Sequence, residues 1–162
     1  MGFTLSSSAR RLHLASVDAT RALGMALGRT ARPGDVLWLE GDLGAGKTSL
    51  AQGIAAGLGI EESITSPTFA LVHEHDEARV PLVHLDLYRL ETSRQAPPDL
   101  EEAWDRPDAV VLVEWPERLE VSLPPGLVAT LAWREEGRDV HLEPRTDRAA
   151  AWVQQALGAG DV

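Results

Sequence analysis

The stretch GDLGAGKT, residues 41–48, decides how this chain is built, because it fits the pattern G-x-x-x-x-G-K-[ST]. It follows Val36 to Glu40, a compact apolar run with the length of a strand. It leads into Lys47 to Leu58, which has helical character and is ended by Gly59. A strand, a glycine-rich loop and a helix in this order are the context in which the pattern binds phosphate. The sequence therefore predicts a phosphate-binding loop.

The residue types in the loop suit this task. Glycines let the backbone wrap around a phosphate and turn its N–H groups inward, and the following helix presents its positive end to the anion. We expect Lys47 to reach the β and γ phosphates and Thr48 to place its hydroxyl on Mg²⁺. Of the 15 lysine and arginine residues in the chain, Lys47 is the only lysine. Because a planar guanidinium does not replace a compact ammonium in a tight backbone loop, this supports a phosphate role for Lys47.

The whole pattern predicts one domain, residues 1–162, with a three-layer α/β fold like that of P-loop NTPases. We expect a mostly parallel sheet with antiparallel edge strands. Ala109 to Val113 is the most continuous apolar run and predicts a strand covered on both faces. The other predicted elements are a strand at Leu12 to Ala15, a helix capped by Ser16, a strand pair at Ala70 to His75 and Val80 to Leu87, a short helix at Asp99 to Trp104, a hairpin at Leu127 to Trp133 and Arg138 to Glu143, and a closing helix at Asp147 to Leu157.

Composition limits the classes of function. A formal net charge of −10 disfavours direct binding of DNA or tRNA, because such a surface repels the phosphate backbone. The absence of cysteine excludes disulfides, thiolate metal sites and cysteine nucleophiles. No apolar run reaches the length that crosses a bilayer, and no secretion signal is present. We therefore expect a soluble, cytoplasmic protein without a membrane partner.

Two carboxylates stand at the ends of predicted strands. A phosphate loop needs an acidic group near Mg²⁺, usually at the end of an apolar strand, where it holds the ion or orients its water. Asp86 follows residues 83–85, and Glu114 follows the run that ends at Val113. Each is therefore a candidate catalytic residue beside Lys47, and a solvated strand-end carboxylate is the alternative for each.

Other polar and aromatic positions are candidates with open alternatives. Thr68, in the segment SPTF, is a candidate ligand of Mg²⁺ or the γ-phosphate, whereas a capped turn explains the pattern equally well. Trp115, directly after Glu114, is either a core residue or an aromatic plane against the nucleotide base. His73 and His75 share a strand face, but further ligands at metal-site spacing are missing, which disfavours zinc.

Three other functions are alternatives for a chain with a phosphate-binding loop. A small GTPase that reads guanine through an N-K-x-D motif is excluded, because the chain has no asparagine and its one lysine lies in the phosphate loop. A small-molecule kinase needs an arginine-bearing lid over the phosphates, and Arg89 to Arg106 is the only stretch that can supply one. A nucleotide-gated assembly adaptor, in which ATP binding rather than hydrolysis controls assembly, is the third alternative.

The motifs together resemble a known family. GDLGAGKT at 41–48, SPTF at 66–69, HLDLYRL at 84–90, VEWPERL at 113–119 and an EEGR turn at 135–138 occur in that order. This set resembles the TsaE family of bacterial ATPases that serve tRNA threonylcarbamoyladenosine biosynthesis, from about Leu14 to Val140. The resemblance implies an ATPase that works with a threonylcarbamoyl transferase subunit and its non-catalytic homologue on the adenosine beside the anticodon. It implies contact with tRNA only indirectly, through that complex.

The resemblance also implies roles for individual residues. It places the phosphates on Leu43, Gly44, Ala45, Gly46 and Lys47, and Mg²⁺ on Thr48 and Glu114. It places Asp86 near the γ-phosphate and its water, and it implies nucleotide contacts for Arg138 and, through its backbone, for Val17. The tail beyond Pro144 carries no motif, and the resemblance implies nothing for it.

Overall fold

One mixed sheet of seven strands organises the part of the chain that the structure describes. This computed structural model describes residues 9–42, 44–60, 72–87, 102–115 and 125–158. The strands are β1 (Arg10–Leu14), β2 (Val36–Gly41), β3 (Val72–His75), β4 (Leu82–Asp86), β5 (Val110–Glu114), β6 (Leu127–Trp133) and β7 (Arg138–Pro144). Their order in the sheet is β1-β7-β6-β2-β5-β4-β3.

The middle of this sheet is parallel and its sides are antiparallel. Strands β6, β2, β5 and β4 run in the same direction. On one side β7 pairs antiparallel with β6 and β1 with β7, and on the other side β3 pairs antiparallel with β4. The prediction of parallel strands with antiparallel strands beside them is therefore confirmed, but the sheet is more mixed than the predicted mostly parallel one, because three of the six described pairings are antiparallel. Because β2 lies between two parallel neighbours, the loop after it leaves the carboxyl edge near the middle of the sheet.

Three helices pack together on one face of the sheet. They are α1 (Val17–Thr30), α2 (Lys47–Gly57) and α3 (Asp147–Gly158). Ser16 caps α1 as predicted, and its hydroxyl accepts a hydrogen bond from the Ala19 N–H at 3.1 Å. Within the described ranges, no helix has the length and apolar character that crossing a membrane requires. The helices and the sheet face below them share one apolar cluster, which includes Leu27, Leu37, Ile54, Leu112 and Trp152.

The opposite face of the sheet is also buried, as β5 shows. Val110 and Leu112 belong to the cluster under the helices, whereas Val111 and Val113 belong to a second cluster with Trp104. This alternation confirms that β5 is covered on both faces. On the second face the structure describes a single helical turn, residues 102–104. The predicted third layer therefore stays a prediction.

Helices α1 and α2 cross at short range because glycines line the crossing. A Cβ at Gly28 would collide with the Ile54 carbonyl oxygen, and a Cβ at Gly53 would collide with the Arg21 carbonyl oxygen. The backbones therefore pack closer than side chains at these positions would permit. Since α2 begins directly after the glycine loop, this crossing also fixes the position of the loop against α1.

Arg79 joins the carboxyl ends of the same two helices. Its Nη2 donates hydrogen bonds to the carbonyl oxygens of Gly28 at 2.7 Å and Ala31 at 3.0 Å. Its backbone N–H donates to the Leu58 carbonyl oxygen at 2.9 Å. The last carbonyls of a helix lack partners within the helix, so a guanidinium at this point satisfies them.

Candidate functional site

The loop between β2 and α2 has a backbone that only glycine adopts without strain. Gly41, Gly44 and Gly46 have φ angles of 143°, 80° and 103°. Gly46 is the N-cap residue of α2 and has no side chain to accept from the first N–H groups of the helix. These donors and the positive end of the helix therefore form a site that suits an anion.

Lys47 is buried although it carries a charge. The residue is 6% exposed, and its Nζ donates a hydrogen bond to the Gly41 carbonyl oxygen at 2.5 Å. The same nitrogen lies 3.2 Å from the centroid of the Trp115 indole ring. A buried ammonium needs partners of this kind, because the loss of its hydration is costly. Lys47 is thus held at the start of α2 between the loop backbone and an aromatic face.

The backbone of Trp115 is unusual. Its φ of 61° is the one positive value at a non-glycine residue within the described ranges. Its N–H donates to the Leu39 carbonyl oxygen at 3.3 Å, which ties the end of β5 to β2. Such a conformation costs on the order of 1 kcal/mol or more and persists only where the surroundings impose it. The half-buried indole packs against the second apolar cluster and against Lys47, while stacking on a base stays a prediction.

Asp86 and Glu114 end neighbouring parallel strands and are register partners. Residues paired in this way share one face of the sheet, so both carboxylates lie at its carboxyl edge, Glu114 on the strand next to β2 and Asp86 one strand further away. They differ in their surroundings. Glu114 is 2% exposed, and its Oε2 lies 2.6 Å from Nε2 of His84, whereas Asp86 is half-buried. The structure therefore brings the two predicted acidic residues together.

His84 is the site residue that sequence reasoning missed. It is 1% exposed, and no described residue offers a hydrogen-bond partner to its Nδ1. The sequence does contain an indication of this role. Side chains alternate between the two faces of β4, so Leu82, His84 and Asp86 share one face. His84 is a polar residue on a face that starts with the apolar Leu82, and it stands two positions before the candidate acid Asp86. This pattern indicates a partner for an acidic group.

Val17, Gly46 and Arg138 line a common cavity of about 190 Å³ beside the loop. Val17 is 54% exposed at the first position of α1, and Arg138 opens β7. The Arg138 Nε donates a hydrogen bond to the Gly44 carbonyl oxygen at 3.2 Å. Three residues predicted to contact the nucleotide are thus close together, although they come from three distant segments.

The remaining predicted site residues that the structure describes are not among those lining the cavity beside the loop. Ala45 is buried in the loop and Thr48 is exposed on α2. Among the residues that the structure describes, no hydrogen bond joins the Thr48 hydroxyl to Glu114, and no group of three acidic or histidine side chains can hold a metal ion. Leu43 and Thr68 lie outside the described residues.

A glycine loop from a central parallel strand into a helix, with two acidic strand ends beside it, defines an α/β P-loop-like fold. The model of the family described as "Threonylcarbamoyl adenosine biosynthesis protein TsaE" matches residues 14–144, and this chain belongs to that family. The resemblance of the motifs is therefore confirmed.

Individual relatives agree with the family. A protein of a Nostoc species named tRNA threonylcarbamoyladenosine biosynthesis protein TsaE is 43% identical over 138 residues, which cover 83% of this chain and 85% of the relative. The protein of the same name from Mycobacterium tuberculosis is 40% identical over 145 residues, or 85% of this chain and 78% of the relative. The crystal structure of YdiB from Bacillus subtilis superimposes with a TM-score of 0.76 at 29% identity, covering 93% of this chain and 95% of that chain.

Proposed function

We propose that this chain is a Mg²⁺-dependent ATPase required for threonylcarbamoyladenosine modification of tRNA, and that it acts on a transferase complex rather than on tRNA itself. The observation that carries the proposal is the position of Lys47, the only lysine, at the start of α2 behind a glycine loop. The names of the relatives support the pathway. We include in the proposal the third layer of the P-loop NTPase-like fold.

The residues around the loop fit the phosphates of a nucleotide. Gly44 and Gly46 have positive φ angles, and the first N–H groups of α2 have no side-chain cap. Such N–H groups are donors for phosphate oxygens, and the Lys47 ammonium adds a full positive charge beside them. Val17 and Arg138 flank the adjoining cavity and would contact the rest of the nucleotide.

The donor set also fits magnesium. Mg²⁺ prefers oxygen ligands in octahedral geometry and commonly takes only one or two of them from the protein. Thr48 and Glu114 provide one hydroxyl and one carboxylate, a number that leaves the other positions to phosphate oxygens and water. When bound, the ion neutralises charge that develops on the phosphate during hydrolysis.

We assign different tasks to the two acidic residues because their surroundings differ. Glu114 is buried and one of its oxygens is engaged by His84, so its other oxygen, Oε1, is the proposed metal ligand. Asp86 is half-buried at the neighbouring strand end and is the proposed residue that orients the attacking water. Lys47 stabilises negative charge on the phosphates in the same step.

The surface charge supports an indirect relation to tRNA. With a formal net charge of −10, the chain is poorly suited to grip a nucleic acid alone. It is suited to dock on a more basic assembly, which we propose to be the transferase subunit and its non-catalytic homologue. Docking that is indifferent to salt would contradict this part of the proposal.

The position of Arg106 favours hydrolysis over kinase activity. Its guanidinium pairs with Asp108 at 2.8 Å, Asp76 at 3.1 Å and Glu74 at 3.3 Å. The residue precedes β5, so it lies at the amino edge of the sheet, opposite the phosphate loop. It is therefore badly placed to act as a lid arginine, and Arg89 lies outside the described residues.

The proposal is tested by measuring ATP turnover by the chain alone, then with the transferase pair, then with tRNA. Lys47→Ala should abolish turnover in the full system. Arg145→Ala is the matched control, because it removes a positive charge at the opposite edge of the sheet, where its backbone bonds Gly126. Turnover by Lys47→Ala at the parent rate would refute the mechanism. Phosphate on a small acceptor would favour the kinase, and many rounds of modification with a non-hydrolysable ATP analogue would favour the adaptor.

A further inference from the structure

We infer that His84 is a positioning residue, which holds the carboxylate of Glu114 in the orientation that Mg²⁺ requires. The inference rests on the proposed function, because it gives His84 a task only if Glu114 meets a metal-bound nucleotide. It assigns a role to a residue that is not among the described residues lining the cavity beside the loop.

The contact is short and sheltered from water. Nε2 of His84 lies 2.6 Å from Oε2 of Glu114, and their side chains are 1% and 3% exposed. Hydrogen bonds to a charged acceptor are stronger than neutral ones, and a site without water strengthens them further. The contact therefore restricts the orientation of the Glu114 carboxylate.

The surroundings of the ring indicate which nitrogen carries the proton. Nδ1 is buried, and within the described ranges it has no hydrogen-bond partner. A proton on Nδ1 would be a buried donor without an acceptor, which is costly, whereas a proton on Nε2 points at a carboxylate oxygen. His84 therefore donates from Nε2 to Oε2 of Glu114, and it leaves Oε1 as the oxygen for the metal.

The register of the sheet explains why such a partner is needed. Asp86 is the direct neighbour of Glu114 across the strands, and two carboxylates side by side repel each other. His84 lies two residues earlier on the same strand face, so it reaches Glu114 diagonally. A donor at this point holds one carboxylate away from the other. Groups that orient a metal ligand in this way commonly change metal affinity about 10–100-fold when they are removed.

Two amide substitutions separate this role from simple packing. In His84→Gln the side-chain nitrogen is as many bonds from the backbone as Nε2, so it can still donate to Glu114. In His84→Asn the side chain is one bond shorter. Its nitrogen takes the position of Nδ1 and does not reach the carboxylate. The two variants are both uncharged and polar, and each replaces the ring, so a loss of packing affects both.

The readout is the affinity for ADP, measured by isothermal titration calorimetry with Mg²⁺ and again with EDTA. In the parent chain we expect Mg²⁺ to tighten ADP binding. His84→Gln should keep most of this gain in affinity. His84→Asn should bind ADP about tenfold more weakly than the parent when Mg²⁺ is present. In EDTA both variants should bind ADP like the parent. Thermal unfolding of each variant reports whether the fold is intact.

The outcomes are distinguishable. If both variants keep the full Mg²⁺ gain, or if both lose it equally, the positioning role is wrong, although the proposed function stands. If the parent chain does not bind ADP under either condition, both the inference and the proposed function are wrong. If one variant fails to fold, the other still decides. The inference is overturned if Mg²⁺ tightens ADP binding by His84→Asn as much as in the parent. It is also overturned if Mg²⁺ does not tighten ADP binding by a folded His84→Gln.

Discussion

The ammonium nitrogen of Lys47 lies 3.2 Å from the centroid of the Trp115 ring, and it also donates to the carbonyl oxygen of Gly41. Lys47 begins the helix after β2, and Trp115 follows β5, the neighbouring parallel strand. The glycine loop and the acidic end of β5 are therefore in direct contact through these two side chains.

This contact predicts a measurable coupling energy. Trp115→Leu should destabilise the fold, because the buried ammonium loses its aromatic partner, and Trp115→Phe should retain part of the interaction. In a double-mutant cycle with Lys47→Met, urea unfolding should give a coupling of about 0.5–2 kcal/mol for Trp115→Leu. Strictly additive free energies of unfolding would show that the contact contributes nothing.

Arg138 should matter for nucleotide affinity. Its Nε bonds the Gly44 carbonyl oxygen, and its side chain lines the cavity beside the loop. Arg138→Ala should weaken ADP binding about tenfold, the effect of losing one charge-assisted hydrogen bond. Arg134→Ala removes the same charge from the same hairpin, where Arg134 pairs with Asp139 at 2.8 Å, and serves as the control. Equal affinities of the two variants, measured by calorimetry, would argue against a specific role.

The close crossing of α1 and α2 should be sensitive to a single methyl group. Gly53→Ala places a Cβ against the Arg21 carbonyl oxygen, and backbone must move to accommodate it. We expect a loss of about 1–3 kcal/mol in the free energy of unfolding. Gly158→Ala is the control in another helix, because nothing lies within 4 Å of the added atom. Similar unfolding midpoints for both variants would contradict the importance of the crossing.

The ion pairs of Arg106 should depend on pH. A hydrogen bond from the Arg106 side chain lowers the pKa of Asp108 below its ordinary value. A carboxyl group with a depressed pKa adds stability above the ordinary aspartate pKa, about 4, and loses it as the pH falls through the lowered value. Arg106→Gln should therefore raise the pKa of Asp108 towards the ordinary value, as an NMR titration of its carboxyl carbon would reveal. The pKa of Asp139, which His13 and Arg134 lower, should not change.

Much of the fold follows from local patterns. The apolar run before Glu114 predicted a strand buried on both faces, and the alternation of Val110 to Val113 between two clusters confirms it. Ser16 was predicted to cap a helix and does so through its hydroxyl. These features depend on residues close together in the chain, whose backbone preferences and periodicity are visible in the sequence.

The binding roles of Thr48 and Thr68 stay predictions.

The sequence by itself determined the position of the glycine loop, the order of strands and helices around it and the two acidic strand ends, because each is a local pattern. Only the tertiary structure decided that His84 meets Glu114 and that Lys47 meets Trp115. These pairs depend on which strands become neighbours and in what register. Register and strand order are set by burial of both faces of the whole sheet, and no short stretch of sequence contains that information.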